Sequence, residues 1–315
     1  MKKFLLNCLF LICSVIFVVV SNFILCINHT NISNLDSIPW KHQQLSQIKG
    51  EKIVFIGGSS VALGLDSERI SKHFSLPVFN MGVHAGLGLN YMLDEVDPFL
   101  SKGDYLIIAP EYHHFYSEQA FYGKGELVYV LVKYFPAKII GLSVKQFKYF
   151  FFCALDKMAR YIEDFPFCYM KKTIPLYLSV DSYNIYGDCD KHWNAKLDKP
   201  PPPFVLGKDR ALCYDAVNAV LNFKNKMNAK GIHVIILPPP LQKTSYENLY
   251  PAIKNVKHAL VLNKLCSEYD TERYCFDDDM FFDTAYHCTK QGVDKRTQLV
   301  IEDLEKFISK KVKLE

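Results

Sequence analysis

No Cys-x-x-Cys pair, no single-sign block of charge and no collagen-like or disordered composition occurs in this chain of 315 residues. The missing cysteine pairs remove the usual zinc spacing, and no metal or cofactor is expected. Lysines are scattered and the formal net charge is only +4, so there is no basic stripe of the kind that binds nucleic acid. What is abundant is apolar material: 50% of residues are hydrophobic against 22% charged, enough for a packed core.

Charge is also absent from one long stretch. After Met1-Lys2-Lys3 nothing charged occurs from Phe4 to Ile27. At about 1.5 Å per residue this run reaches roughly 36 Å, enough to cross a hydrocarbon core. Its end, Phe23-Ile24-Leu25-Cys26, lacks the small residues of a signal-peptide cleavage site, and Leu25 makes Cys26 a poor lipid-attachment site. Residues 1–27 are therefore expected to be a cytoplasmic tip and an uncleaved transmembrane anchor. Lys2 and Lys3 stay cytoplasmic by the positive-inside tendency, leaving the body of a single-pass membrane protein extracytoplasmic. Of the ten cysteines, Cys8, Cys13 and Cys26 fall in this span; the seven beyond it cannot all pair, and buried or singly paired thiols are expected.

Residues 28–50 are polar and read as a stalk. Asn28-His29-Thr30 and Asn31-Ile32-Ser33 fit the glycosylation acceptor pattern, which matters only in a host that glycosylates there. From residue 51 short apolar runs alternate with amphipathic stretches, predicting a doubly wound α/β domain over 51–315. Strands are expected at Lys52–Ile56, Pro77–Asn80, Tyr105–Ala109, His233–Leu237 and Arg273–Phe276. Helices are expected near Ser67–Phe74, Gly88–Leu100, Ala211–Lys230, Tyr250–Ser267 and Thr289 to about Lys310. The segment from about 115 to 210 is too long for an ordinary connection and reads as an insertion. Its first half interleaves Tyr134, Phe135, Phe147 and Tyr149 to Phe152 with Lys133, Lys138, Lys145 and Lys148. That pattern suits a membrane interface and a helical hairpin packed on the domain equally well. Pro200–Pro203 reads as a rigid turn leaving the insertion, and Pro238–Pro240 as the stop of the fourth strand.

Ligands of open α/β sheets bind at the carboxyl ends of the strands, and the singular residues fall there. After the first strand comes Gly57-Gly58-Ser59-Ser60, a sharp turn that presents a serine at the sheet edge. Alone it is as well a structural or anion-binding turn. The second strand ends Asn80-Met81-Gly82, and the last is followed by Asp283 and His287. Ser, Asp and His thus run in the order expected when the nucleophile opens the sheet and its base closes it.

These residues resemble the GDSL/SGNH hydrolases: Gly57-Gly58-Ser59 their first block, Gly82 their second, Asp283 and His287 their last. More narrowly, Gly57–Asp66, Asn80–Leu89 and Asp283–Thr297 resemble anchored extracytoplasmic members encoded with polysaccharide O-acylation systems. The resemblance implies a flavodoxin-like, five-stranded parallel sheet. It also implies acyl transfer or ester hydrolysis, most simply of O-acetyl groups, on a cell-envelope glycan. Ser59 would be nucleophile, His287 base and Asp283 its orienting acid, with the N–H groups of Ser59 and Gly82 as oxyanion hole. Matching backwards from Asp66 through Gly64 favours Ser59 over its neighbour Ser60. Glu111, Tyr112 and Asn80 are candidates to contact substrate. A transferase would need a membrane-bound partner to deliver the acyl group. Three positions depart from the family: Gly58 replaces an aspartate, Ala109-Pro110-Glu111 lacks the oxyanion asparagine, and Asp283 precedes His287 by four residues rather than three. They keep open a second class, a glycan-binding or scaffold subunit that retained the fold without the activity. His113 and His114 lack companion ligands for a metal, and Asn184–Asp188 reads as a turn or a sugar contact.

Overall fold

The structure, a computed structural model, describes residues 1–29, 34–163, 179–194, 199–205 and 211–312. Residues 30–33, which complete both acceptor patterns, lie outside them, as do Cys168 and Arg210.

The apolar run forms one helix, α1 (Lys2–His29), whose segment Lys2–Leu25 is long and apolar enough to cross a membrane and has its most apolar stretch unburied. The expected stalk is not one. A 3₁₀ turn (Leu35–Ser37) leads into α2 (Ile38–Gln47), and Leu35, Ile38 and Leu45 are buried in the body. Polarity misled here because the three apolar contacts recur at helical spacing among glutamines and serines, so the stretch is amphipathic rather than extended.

Four strands follow the expected runs: β1 (Ile53–Ile56), β2 (Val78–Asn80), β3 (Tyr105–Ile108) and β4 (His233–Ile236). They form one parallel sheet in the order β2-β1-β3-β4, with Ile53 opposite both Val78 and Tyr105, and Tyr105 opposite His233. β-branched residues buried on both faces suit a parallel sheet. Val54, Ile56, Leu106, Ile108, Val234 and Ile236 pack on one side against α5 (Leu89–Val96), α9 (Tyr214–Ala229) and α10 (Lys243–Leu262). Ile53, Phe55, Ile107 and Ile235 pack on the other against α4 (Ser67–Phe74) and α11 (Lys290–Val312). Helices therefore cover both faces.

The expected fifth strand does not join this sheet. Cys275–Phe276 (β6) pairs in parallel with Leu241–Gln242 (β5) in a separate two-stranded ladder. Pro238–Pro240 offer no N–H donors, so the ladder cannot run through them and resumes only at Leu241. Arg273 instead pairs with Glu302 and Asp303 of α11.

The described part of the insertion is helical: α6 (Glu118–Tyr122), α7 (Gly125–Tyr134), a 3₁₀ segment (Pro136–Gly141) and α8 (Val144–Glu163). Leu127–Leu131, Phe150 and Cys153 share a third core with Ile27, Leu35 and Ile38, so the end of α1, α2 and the insertion are packed together. Among the described residues no disulfide forms.

Candidate active site

Gly57 and Gly58 carry the chain from β1 into α3 (Ser59–Ala62) through a turn that excludes side chains. A Cβ on Gly57 would lie 2.6 Å from the Ala109 carbonyl oxygen; one on Gly58 would meet the Glu111 carboxylate, with Oε2 at 2.6 Å, and Ala85 Cα at 2.8 Å. The two serines that follow differ in access. Ser59 is half-buried at the start of α3, whereas Ser60 is fully buried and its Oγ has no hydrogen-bond partner. Ser60 is fixed through its backbone: its N–H donates to Glu111 Oε1 (3.0 Å) and its carbonyl accepts from the buried Arg296 of α11. Of the two hydroxyls, only that of Ser59 is open to a ligand.

Three residues expected to meet substrate prove to be the floor beneath the turn. Asn80 is fully buried, its Nδ2 donating to the Val61 carbonyl (2.9 Å) and Asp188 Oδ1 (2.7 Å). Tyr112 is 1% exposed within the main core, and Glu111 is 1% exposed beneath Ser60. None of the three offers a surface to substrate. The Gly82 N–H, expected in the oxyanion hole, donates to Asn80 Oδ1 at 2.8 Å and is not free for an oxyanion in this arrangement. Asn80 takes that amide because its side chain turns back two residues, an Asx geometry available to any asparagine at a strand end.

Glu111 anchors a buried polar cluster. Burial pushes its carboxyl up, but His114, His113 and the Ser60 N–H together hold it below the usual range. His114 Nδ1 lies 3.5 Å from Glu111 Oε2 and 3.1 Å from the Glu111 carbonyl oxygen, while its Nε2 lies 3.1 Å from the Ala85 carbonyl oxygen. Both ring nitrogens of His114 thus face backbone carbonyls, which tie the ring to the loops after β2 and β3. His113, stacked on His114 with centroids 4.6 Å apart, is pushed down to about 3 by burial and by that neighbour. Among the described residues no group of three or more metal-ligating side chains surrounds this pair.

The last loop carries the acid and the histidine. His287 Nδ1 and Asp283 Oδ1 are 2.6 Å apart. The four-residue spacing succeeds because the chain doubles back: the Phe282 N–H donates to the His287 carbonyl (2.7 Å), the His287 N–H to the Thr284 carbonyl (3.3 Å), and Phe281 bridges Cys288. With Nδ1–H donating to Asp283, Nε2 carries the lone pair. The loop packs against the others through Tyr286, whose ring lies 6.3 Å from that of His113. Among the described residues no hydrogen bond joins the Ser59 hydroxyl directly to His287.

Four further side chains support these loops, and of them only Asp188, in the Asn184–Asp188 stretch, lies in a segment that the sequence singles out. His84 Nδ1 accepts the Gly86 N–H (3.0 Å), which leaves the ring proton on Nε2. Burial holds His84 neutral by lowering its pKa, and both His287 and Glu111 are near enough to act on it. His192 Nε2 bonds the Cys288 carbonyl at 2.9 Å, steadying the histidine loop. Lys41 of α2, fully buried, donates to the carbonyls of Asn80 (2.8 Å), Gly82 (2.7 Å) and Gly187 (2.7 Å). Burial lowers it to about 7. Asp188 receives the Ser67 N–H and hydroxyl, both at 2.7 Å, and burial raises it to about 7 against these donors. The Asn184–Asp188 stretch is thus a turn with a buried carboxylate, with Gly187 at φ +84°.

Comparison with family models finds none that matches the chain, and comparison with curated proteins finds no significant match.

Proposed function

We propose that this protein is a membrane-anchored serine acyltransferase or esterase of the GDSL/SGNH type. It would act on O-acyl groups, most simply O-acetyl groups, of an extracytoplasmic polysaccharide. The observation that carries the reading is the pairing of His287 with Asp283 at 2.6 Å on the rim where the accessible Ser59 opens α3. The sequence resemblance supplies the substrate class, and Lys2 and Lys3, by the positive-inside tendency, the outward orientation of the body.

In the first half-reaction His287 Nε2 removes the Ser59 hydroxyl proton as Oγ attacks the acyl carbonyl. The donor's ester bond breaks, the acyl group stays on Ser59, and His287 returns its proton to the departing alcohol. In the second half His287 deprotonates a sugar hydroxyl or water, whose oxygen attacks the acyl carbonyl; the bond to Ser59 Oγ breaks, the acyl group leaves on the acceptor, and His287 returns the proton to Oγ. Asp283 holds the ring in the required tautomer and stabilises the imidazolium. The hydrogen bond between Ser59 and His287 forms when a substrate fills the rim, since catalytic contacts commonly close only in the substrate complex. For the oxyanion, the Ser59 N–H at the start of α3 is joined by the Nε2–H of His84, a neutral imidazole donor, since the Gly82 amide is held by Asn80.

That same engagement of Gly82, with a glutamate at position 111 in place of an oxyanion asparagine, favours the second reading: a glycan-binding or scaffold subunit with impaired chemistry. Hydrolysis of p-nitrophenyl acetate by the full chain in detergent separates them. The enzyme reading expects activity that Ser59→Ala and His287→Ala abolish and Ser60→Ala retains, provided the variants keep the parent's circular dichroism. Activity no greater than that of Ser59→Ala would leave the binding reading standing.

A further inference from the structure

We propose that the outer face of α8 lies in the membrane surface, so that the body rests on the bilayer beside its anchor. α8 has two apolar faces. Gln146, Phe150 and Cys153 point into the core, whereas Val144, Phe147, Phe151 and Leu155 recur at steps of three and four on the opposite side. Those four are 89%, 48%, 49% and 40% exposed; Phe152, beside them, is 58% exposed, and Ile140 in the preceding 3₁₀ segment 91%. A continuous aromatic stripe left to water is costly and marks a covered surface.

The anchor names what covers it. α1 packs on both α7 and α8, Phe23 lies against their core, and Ile27 is 1% exposed inside it. The candidate span ends at Leu25 and Ile27 is already buried in the core that Phe150 and Cys153 of α8 share, so no spacer separates span from body. The stripe belongs to a helix that packs on α1, whose own large apolar residues from Phe4 to Val20 are exposed, and the same solvent satisfies both. Lysines border it as an interfacial helix requires: Lys148 is exposed on the stripe, and Lys145 flanks it while pairing with Asp215 at 2.7 Å. Their stems lie along apolar surface while the ammonium groups reach the headgroups. The proposal rests on α1 crossing the membrane, not on the chemistry of the rim.

The test uses the full chain with Trp40→Phe and Trp193→Phe, which removes both native tryptophans, and Phe151→Trp as reporter. The protein is reconstituted in vesicles of phosphatidylcholine and phosphatidylglycerol, plain or brominated high on the acyl chains. Blue-shifted emission that is mostly lost in brominated vesicles is expected for Phe151→Trp, and likewise for a second reporter, Phe147→Trp. Tyr250→Trp on α10, 47% exposed and away from the stripe, should keep its emission. Red-shifted, unquenched emission from both reporters would overturn the proposal by leaving the face in water. Blue-shifted but unquenched emission would overturn it in favour of a second copy of the chain.

Discussion

At the residue scale the site is built around what Gly58 lacks. A side chain there would enter the space of the Glu111 carboxylate and Ala85, so the glycine is dictated by the glutamate arriving from β3. Gly58→Ala should therefore lower the thermal midpoint, by about 1–3 kcal/mol of overpacking, where an exposed glycine would tolerate alanine. The buried acid Asp188 gives a pH signature. Its folded pKa is raised from 3.8 to about 7, so its stabilising contribution is complete below pH 3.8 and is lost as pH rises to 7. The slope for one proton is at most about 1.4 kcal/mol per pH unit. Denaturant titrations should show stability falling across this window, with a shallower fall in Asp188→Asn; equal slopes would contradict the assignment. Lys41 acts in the opposite sense above pH 7, since its lowered pKa means that stability returns as pH climbs towards 10.5. That Ser59 stands at the turn after β1 and that Asp283 and His287 share the loop after β6 was legible from strand ends and chain order. Asn80, Glu111 and Tyr112 were not, because position at a strand end does not reveal whether a side chain points up into the site or down into the floor. Lys41 and His84 carry no local signal at all, since partners 39 residues away and a local histidine cap are facts of packing.

Among elements, α2 marks the limit of composition as a guide. Polar content suggested a tether, yet burial of Leu35, Ile38 and Leu45 at helical spacing makes it part of the domain, and Lys41 ties it to the loops under the rim. Leu45→Ala should cost about 2–5 kcal/mol in chemical denaturation, the range of buried leucine truncations; a change near zero would restore the stalk. The four central strands were readable because runs such as Ile53–Ile56 and Tyr105–Ile108 are apolar on both faces. The fifth was readable as a strand but not in its pairing, which the three prolines after β4 redirect.

For the molecule as a whole, the end of α1, α2 and the insertion form one apolar cluster, while the loops after β1, β2, β3 and β6 meet at one end of the sheet. A body held directly at the bilayer would keep the rim near a membrane-bound acyl donor and raise its effective concentration without a high-affinity contact. The central claim is that Ser59 is a nucleophile activated by His287. Labelling the full chain with a fluorophosphonate and mapping the modified residue by mass spectrometry tests it most directly. The account predicts a single adduct on Ser59, lost in His287→Ala and retained in Ser60→Ala; an unlabelled chain, or an adduct that His287→Ala leaves intact, would contradict it.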